Sequence, residues 1–230
     1  MDPLSQATIG AAAAQSVIKK ADLARIGLIG ALAGMAPDLD VLIQSSTDPL
    51  LQLEYHRQFT HSLVFIPFGA LLCAIAFWPF VRRHMNFRAI WLTTLAGYVT
   101  HGLLDACTTY GTLLLWPFSD ARIAWNTISV VDPLFTLPLL GFVIAAGVKN
   151  SQFRGRLGMA WVAFYLSIGV IQEERALAAG EALAAHRGHA TAVVSAKPSF
   201  GNLLLWKTVY EHDDEFWVCL LYTSPSPRDH

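Results

Sequence analysis

The sequence predicts an all-α polytopic membrane protein of about four to five transmembrane helices, with a small C-terminal tail containing a β-hairpin. Three observations carry that prediction. Of the 230 residues, 54% are hydrophobic and 14% charged, against about 25% charged in an ordinary soluble domain. The apolar residues come in long blocks rather than short alternating runs, as spans of roughly 20 residues require. Basic residues gather between the blocks, where cytoplasmic loops collect them. A net charge of −1 gives no global reason to expect a nucleic-acid partner. Cys73, Cys107 and Cys219 show no CxxC spacing and read as small buried residues rather than disulfides or thiolate ligands.

The elements follow in order. Ser5 to Ile18 is Ala-rich and reads as a helix lying on or in the membrane. The first candidate span, Ala24 to Ile43, is interrupted by Pro37, Asp38 and Asp40. The second, Ser62 to Val81, and the third, Arg88 to Cys107, come closest to the required length. Asp132 to Val148 is the fourth, and Leu157 to Gln172 a short fifth. Lys19, Lys20 and Arg25 precede the first span. Arg82, Arg83 and Arg88 separate the second and third, and Lys149, Arg154 and Arg156 the fourth and fifth. With those ends cytoplasmic, the spans alternate without conflict. Asp38, Asp40, His56, His61, His101, Asp105 and Asp132 then fall on one side, the non-cytoplasmic one.

Residues 1–176 therefore read as a membrane-embedded domain. Residues 177–218 read as a helix outside the membrane followed by a hairpin, with the polar turn His212 to Glu215 between two apolar and aromatic runs. Residues 219–230 break that pattern and read as a non-native tail, the natural chain continuing past Val218.

Ionisable groups at membrane depth are expensive and default to functional hypotheses. "HGLLD" sets His101 and Asp105 four apart, on one helical face. Such a pair can bind a metal, or it can simply satisfy itself. In "APDLD", Asp38 and Asp40 would oppose each other on a regular helix, but Pro37 favours a break. Both could then face one cavity, or one could ligate while the other orients a histidine; the bland alternative is a solvated helix end. "EYHRQFTHS" offers His56 and His61 beside Thr60 and Ser62, either of which suits a helix N-cap. Arg57 suits a phosphate or carboxylate. Alone, that stretch is an interfacial loop. Together, three histidines and three aspartates on one side make a donor set suited to zinc or manganese. Asp132 in "VVDPLF" serves equally as ligand or N-cap.

Taken in order, "MDPLSQATIGAA", "GMAPDLDVL", "EYHRQFTHS", "HGLLDACTTYGT" and "VVDPLF" resemble the bacterial inner-membrane, membrane-bound metal-dependent hydrolases, one branch of which is LexA-regulated. The resemblance covers Met1 to Gln172. It implies that Asp38 or Asp40, His56, His61, His101 and Asp105 are ligands. Many members carry "DPLTH" at the start, where this chain has Gln6. Asp40, His56, His101 and Asp105 also echo the order of ligands in zinc-dependent phospholipase C and the single-strand nucleases of its fold.

The expectation is a membrane-bound metal-dependent hydrolase of the bacterial inner membrane, with its site facing the periplasm. A metal-activated water would cleave a phosphoester or other lipid-like ester. Asp38, Asp40, His56, His61, His101 and Asp105 would hold one or more divalent ions, zinc foremost and manganese the alternative. Arg57 would position the anionic group. The partners implied are the lipid bilayer and an amphipathic substrate. The rival is a non-catalytic protein that binds or transports metal. The cytoplasmic halves of the second and third segments, nearly free of ligands, favour a one-sided site over a conduit.

Overall fold

The structure, a computed structural model, describes residues 1–18, 22–43, 56–189 and 192–222. Lys19, Lys20, Glu54, Tyr55 and residues 223–230, to which readings were attached above, lie outside the described residues.

Six α-helices form among the described residues: α1 (Pro3–Val17), α2 (Leu23–Met35), α3 (Ile66–Val81), α4 (Phe87–Ala106), α5 (Pro133–Val148) and α6 (Gln152–His186). Most starts are dictated locally. Asp2 accepts from Ser5 N with Pro3 following it, Asp22 accepts from Ala24 N and Arg25 N, and Asn86 accepts from Ala89 N. Each satisfies helix N–H groups that have no partner within the helix. Asp132 does the same for α5, accepting from Leu134 N and Phe135 N. Helix α3 departs from expectation. It starts at Ile66 with no side-chain cap, and Ser62 only accepts weakly from Phe65 N, at 3.3 Å.

The polytopic, membrane-spanning architecture does not hold. No described helix is long and apolar enough to cross a membrane. The expected second span loses Ser62 to Phe65 to turn structure, leaving 16 residues in α3. At about 1.5 Å per residue that is roughly 24 Å, short of a core of about 30 Å. Helix α5 is also 16 residues. Helix α4 reaches 20 residues but buries Thr93, Thr94, Thr100, His101 and Asp105. The first expected span ends as α-helix at Met35 and continues as a 3₁₀ helix, Ala36–Leu42. The fifth is one part of the 35-residue α6, which continues through Glu173, Glu174 and Arg175 to His186. Without spans, the orientation drawn from basic loops, and with it the periplasmic placement, loses its basis.

Packing is built on small residues. Ala11 to Ala14 of α1 are all buried, and α1 lies against α2, α4, α5 and α6. A Cβ on Gly97 of α4 would overlap the Gly30 carbonyl of α2, so the two backbones touch there. That contact brings the C-terminal end of α2 beside the second half of α4, where the polar residues are.

The tail is a three-stranded antiparallel sheet of β1 (Ser195–Pro198), β2 (Leu205–His212) and β3 (Glu215–Tyr222), in that order. The expected hairpin is β2 and β3, to which β1 adds a third strand, and β3 runs on through Cys219 to Tyr222. Asp213 and Asp214 turn the chain with φ of 52° and 60°, the positive pair that a tight two-residue hairpin loop needs. Trp206, Thr208 and Tyr210 alternate inward along β2. Trp206 joins Ala176 of α6 and Phe135 of α5 in the largest apolar cluster. Outside, large apolar side chains remain exposed, among them Phe68, Leu72 and Ile75 on α3, Leu134 and Leu137 on α5, and Phe164 and Ile171 on α6.

Candidate metal centre

Pro37 sets the geometry of the acidic pair. After Met35 the chain tightens to 3₁₀, where residues two apart project about 120° from each other instead of opposing. Asp38 and Asp40 therefore straddle the segment His56 to His61. Asp38 reaches the histidines of two elements, with Oδ1 3.3 Å from His101 Nε2 and 3.6 Å from His61 Nε2. Asp40 turns to the loop. Its Oδ1 is 2.8 Å from His56 Nδ1, while its Oδ2 accepts from Arg57 N and from the Thr60 hydroxyl, both at 3.0 Å.

The "HGLLD" pair sits on one face of α4, as its spacing requires. Asp105 Oδ2 lies 3.5 Å from His61 Nε2 and 3.8 Å from His101 Nε2. Gly102 between them is necessary, because a Cβ there would stand 2.5 Å from the His61 carbonyl. His61, His101 and Asp105 are fully or almost fully buried, and Asp38 is the one partly exposed donor of the four.

The surrounding hydrogen bonds assign the imidazole protons. His101 Nδ1 lies 2.6 Å from the Gly34 carbonyl, which can only accept, so Nδ1 carries the proton. The Thr60 hydroxyl gives its one proton to Asp40, so His61 Nδ1, 2.9 Å from Thr60 Oγ1, must donate. In the neutral rings both Nε2 atoms then carry lone pairs, and they face each other at 2.9 Å. Two lone pairs so close repel unless a cation lies between them. Asp105 Oδ2 adds a buried oxygen that accepts no well-directed hydrogen bond, although Arg57 Nε lies 3.3 Å away.

Asp38, His61, His101 and Asp105 each offer one atom, all within 4.8 Å of one another, and could hold a metal ion. Ligand atoms around a tetrahedral ion with bonds of about 2.0–2.2 Å stand roughly 3.4 Å apart. The five separations above, 2.9, 3.3, 3.5, 3.6 and 3.8 Å, bracket that value. Asp38, Asp40 and His56 form a second group that shares Asp38. The residues present fit a metal.

Charge follows the geometry. Burial would raise Asp38, but hydrogen bonding and charge from His101 and His61 hold it well below the carboxylate range. Asp105 is likewise opposed by burial and held low by His61 and the cations around it. Burial also works against Asp40, and His56 with the Arg57 amide overcomes it. Burial would lower His61, but Asp105 and Asp38 raise it. In the metal-free protein, a proton on His61 relieves the facing lone pairs.

All seven predicted site residues are brought into this region, in different positions. Asp38, His61, His101 and Asp105 make the tight cluster, and His56 and Asp40 form its flank. Arg57 adopts a left-handed backbone, φ 63°, and is 9% exposed. Its guanidinium lies beside Asp105 and over the Tyr110 ring, and its Nη1 has no partner among the described residues. Gln6 is in neither group. Its Nε2 donates to Asp105 Oδ1 at 2.9 Å, and the Met1 amine donates to the same oxygen. Asp132 lies outside the cluster, capping α5 and accepting from Tyr165 at 2.8 Å. The Gly34 carbonyl has no signal in the sequence, and Thr60, one of the two residues suited to cap a helix there, instead supports Asp40 and His61. The threonine between the two histidines, in "HRQFTH", was the available signal.

Residues 1–176 match the model of the YdjM inner membrane proteins. The chain belongs to that family. It is 38% identical over 150 residues to the inner membrane protein YbcI of Escherichia coli (strain K12), covering 60% of this chain and 83% of that one. It is 30% identical over 145 residues to YfhP of Bacillus subtilis (strain 168), covering 63% of this chain and 42% of that protein. This YdjM-family chain thus spans less than half of YfhP. No solved structure matches. The family description and the name of YbcI agree with the expected bacterial inner-membrane family and state no hydrolytic or nuclease activity. Asp38, His61, His101 and Asp105 all fall inside the YdjM match.

Proposed function

We propose that this inner membrane protein is a metal-dependent hydrolase that cleaves an anionic, lipid-like ester, foremost a phosphoester. The observation that carries the reading is the pair of Nε2 lone pairs facing each other at 2.9 Å beside the buried Asp105 Oδ2, which accepts no well-directed hydrogen bond among the described residues. A bound divalent ion, zinc foremost and manganese the alternative, would supply an activated water and a positive charge for the ester oxygen. Asp38, His61, His101 and Asp105 hold it, and the flank of Asp40 and His56 offers a second position through the shared Asp38. Arg57 takes the anionic group, since its buried Nη1 has no other partner among the described residues. In the reaction the oxygen of water bonds to phosphorus, the ester P–O bond breaks, and the proton of water leaves with the alcohol.

One observation favours a second reading. Four protein donors on one ion leave no open position, as in structural zinc sites, so the protein would then hold metal without catalysis. Elemental analysis of the purified protein, with a phosphoester and lipid hydrolysis screen with and without chelator, separates the two. The hydrolase reading expects bound transition metal and chelator-sensitive turnover that His101→Ala and Asp105→Ala abolish. Metal-free protein, or variants that behave as wild type, would overturn it. Bound metal with no turnover leaves the second reading.

A further inference from the structure

Among the four clustered donors only Asp38 is partly exposed, and Asp38 opens onto grease. A groove with a cavity volume of about 460 Å³ runs between α2, the 3₁₀ helix and α3. Leu32, Met35 and Leu39 form one wall, Cys73, Ala76 and Phe77 the other, and among the described residues Asp38 is its one charged lining residue. Burial pushes the Cys73 thiol up to about 11, as apolar surroundings do. Leu32 and Leu39, which line the groove, remain exposed, so the groove is continuous with an apolar exterior. An apolar channel that ends on a polar cluster matches a molecule with an apolar chain and a polar end. A family of the inner membrane has such molecules beside it.

We propose that this groove seats an acyl chain of a bilayer lipid, with the headgroup ester at the cluster of Asp38, His61, His101 and Asp105. The inference rests on the hydrolase reading for what happens to the lipid, and on the groove alone for where the chain lies. Entry is sideways from the membrane surface, past Leu39 and Asp38. Residues along the two walls set which chain fits, Ala76 foremost because its small side chain leaves the groove open.

The test uses the full chain in vesicles of phosphatidylethanolamine and phosphatidylglycerol carrying a trace of phospholipid with a diazirine in its acyl chain. Cross-linked peptides are mapped by mass spectrometry. The expected result is labelling concentrated on Met35 to Leu39 and Cys73 to Phe77. Ala76→Trp, which fills the groove, and Leu32→Gln, which makes its wall polar, should each cut that labelling at least fivefold. Labelling of the outer faces of α5 and α6, and the metal content, should stay unchanged. Both substituted residues are exposed, and if one variant loses metal through misfolding, the other decides. Even labelling over the apolar exterior, unmoved by either variant, would overturn the proposal. So would a dimer that Ala76→Trp disrupts with no groove labelling, since a second copy would then fill the groove. Groove labelling without lipid turnover would sink the hydrolase reading and leave the groove; turnover with no groove labelling would do the reverse.

Discussion

At the scale of single residues, the candidate centre is specified as much by its supports as by its ligands. Thr60 hands its proton to Asp40 and so obliges His61 to present a lone pair. Thr60→Val removes that acceptor without touching a ligand, and supporting contacts of this kind are worth about 10- to 100-fold in metal affinity. Zinc titration should show a loss in that range with the fold intact by circular dichroism; unchanged affinity would mean that the hydroxyl does not set the tautomer. Arg57 has a separate role. Glycine accepts its left-handed backbone freely, so Arg57→Gly should keep the metal and weaken phosphoester binding at least tenfold, read as a rise in KM or in the phosphate inhibition constant.

The same residues fix a pH dependence. Asp38, Asp40 and Asp105 are held below their ordinary range, so their stabilising contribution is in place above about pH 4 and lost as pH falls below it. His61 is raised, so its contribution is in place below about pH 6.5 and lost as pH climbs past that value. Metal-free protein should be most stable between those limits. Zinc should lift stability mainly on the alkaline side, because the ion replaces the His61 proton. Melting temperature measured with and without zinc should diverge more at about pH 8 than at about pH 5. An equal lift at both would count against His61 as a ligand.

At the scale of elements, the centre depends on two close approaches and one broken helix. Gly97 against Gly30 lets α4 slide beside α2 until the Gly34 carbonyl meets His101. Gly97→Ala should destabilise by roughly 1–3 kcal/mol through overpacking, and it should weaken zinc binding as well, although Gly97 touches no donor. Loss of stability with full zinc affinity would show that the helix contact and the site are independent. The elements also mark where the sequence was legible. The blocks around α2 to α5 were legible because apolar runs are local features, and so is the Asp132 cap of α5. Their lengths were not legible, because Leu63 to Phe65 are as apolar as the helix they precede, and the turn there combines local bonds from Phe65 N to Ser62 with a tertiary one from Leu63 N to the Leu114 carbonyl. For Asp38, Asp40, His56, His61, His101 and Asp105, the sequence offers residue type and the break at Pro37 as local signals, but it joins them only through a span topology that the helices do not keep. The supporting bonds from Thr60, Gly34 and Gln6 were not legible, because each depends on how two elements approach.

At the scale of the whole molecule, the helices and the sheet share one interior. Trp206 of β2, Ala176 of α6 and Phe135 of α5 lie in the same cluster as Leu104, one residue from Asp105. Gln172 on α6 donates to the Leu203 carbonyl at the foot of β2, and the Trp206 indole donates to the same carbonyl. A tail that merely hung from the helical body would leave such groups solvated. Trp206 is 0% exposed, and deleting a buried aromatic of that size costs about 3–5 kcal/mol. Trp206→Ala should therefore lower a single melting transition for the entire chain, followed by near-ultraviolet circular dichroism and by zinc release together. If the sheet melted first while zinc stayed bound, the tail would be an independent unit. Coincident loss would mean that the strands furthest from the metal cluster help hold α5 and α6 against α1 and α4, and through them the positions of His101 and Asp105.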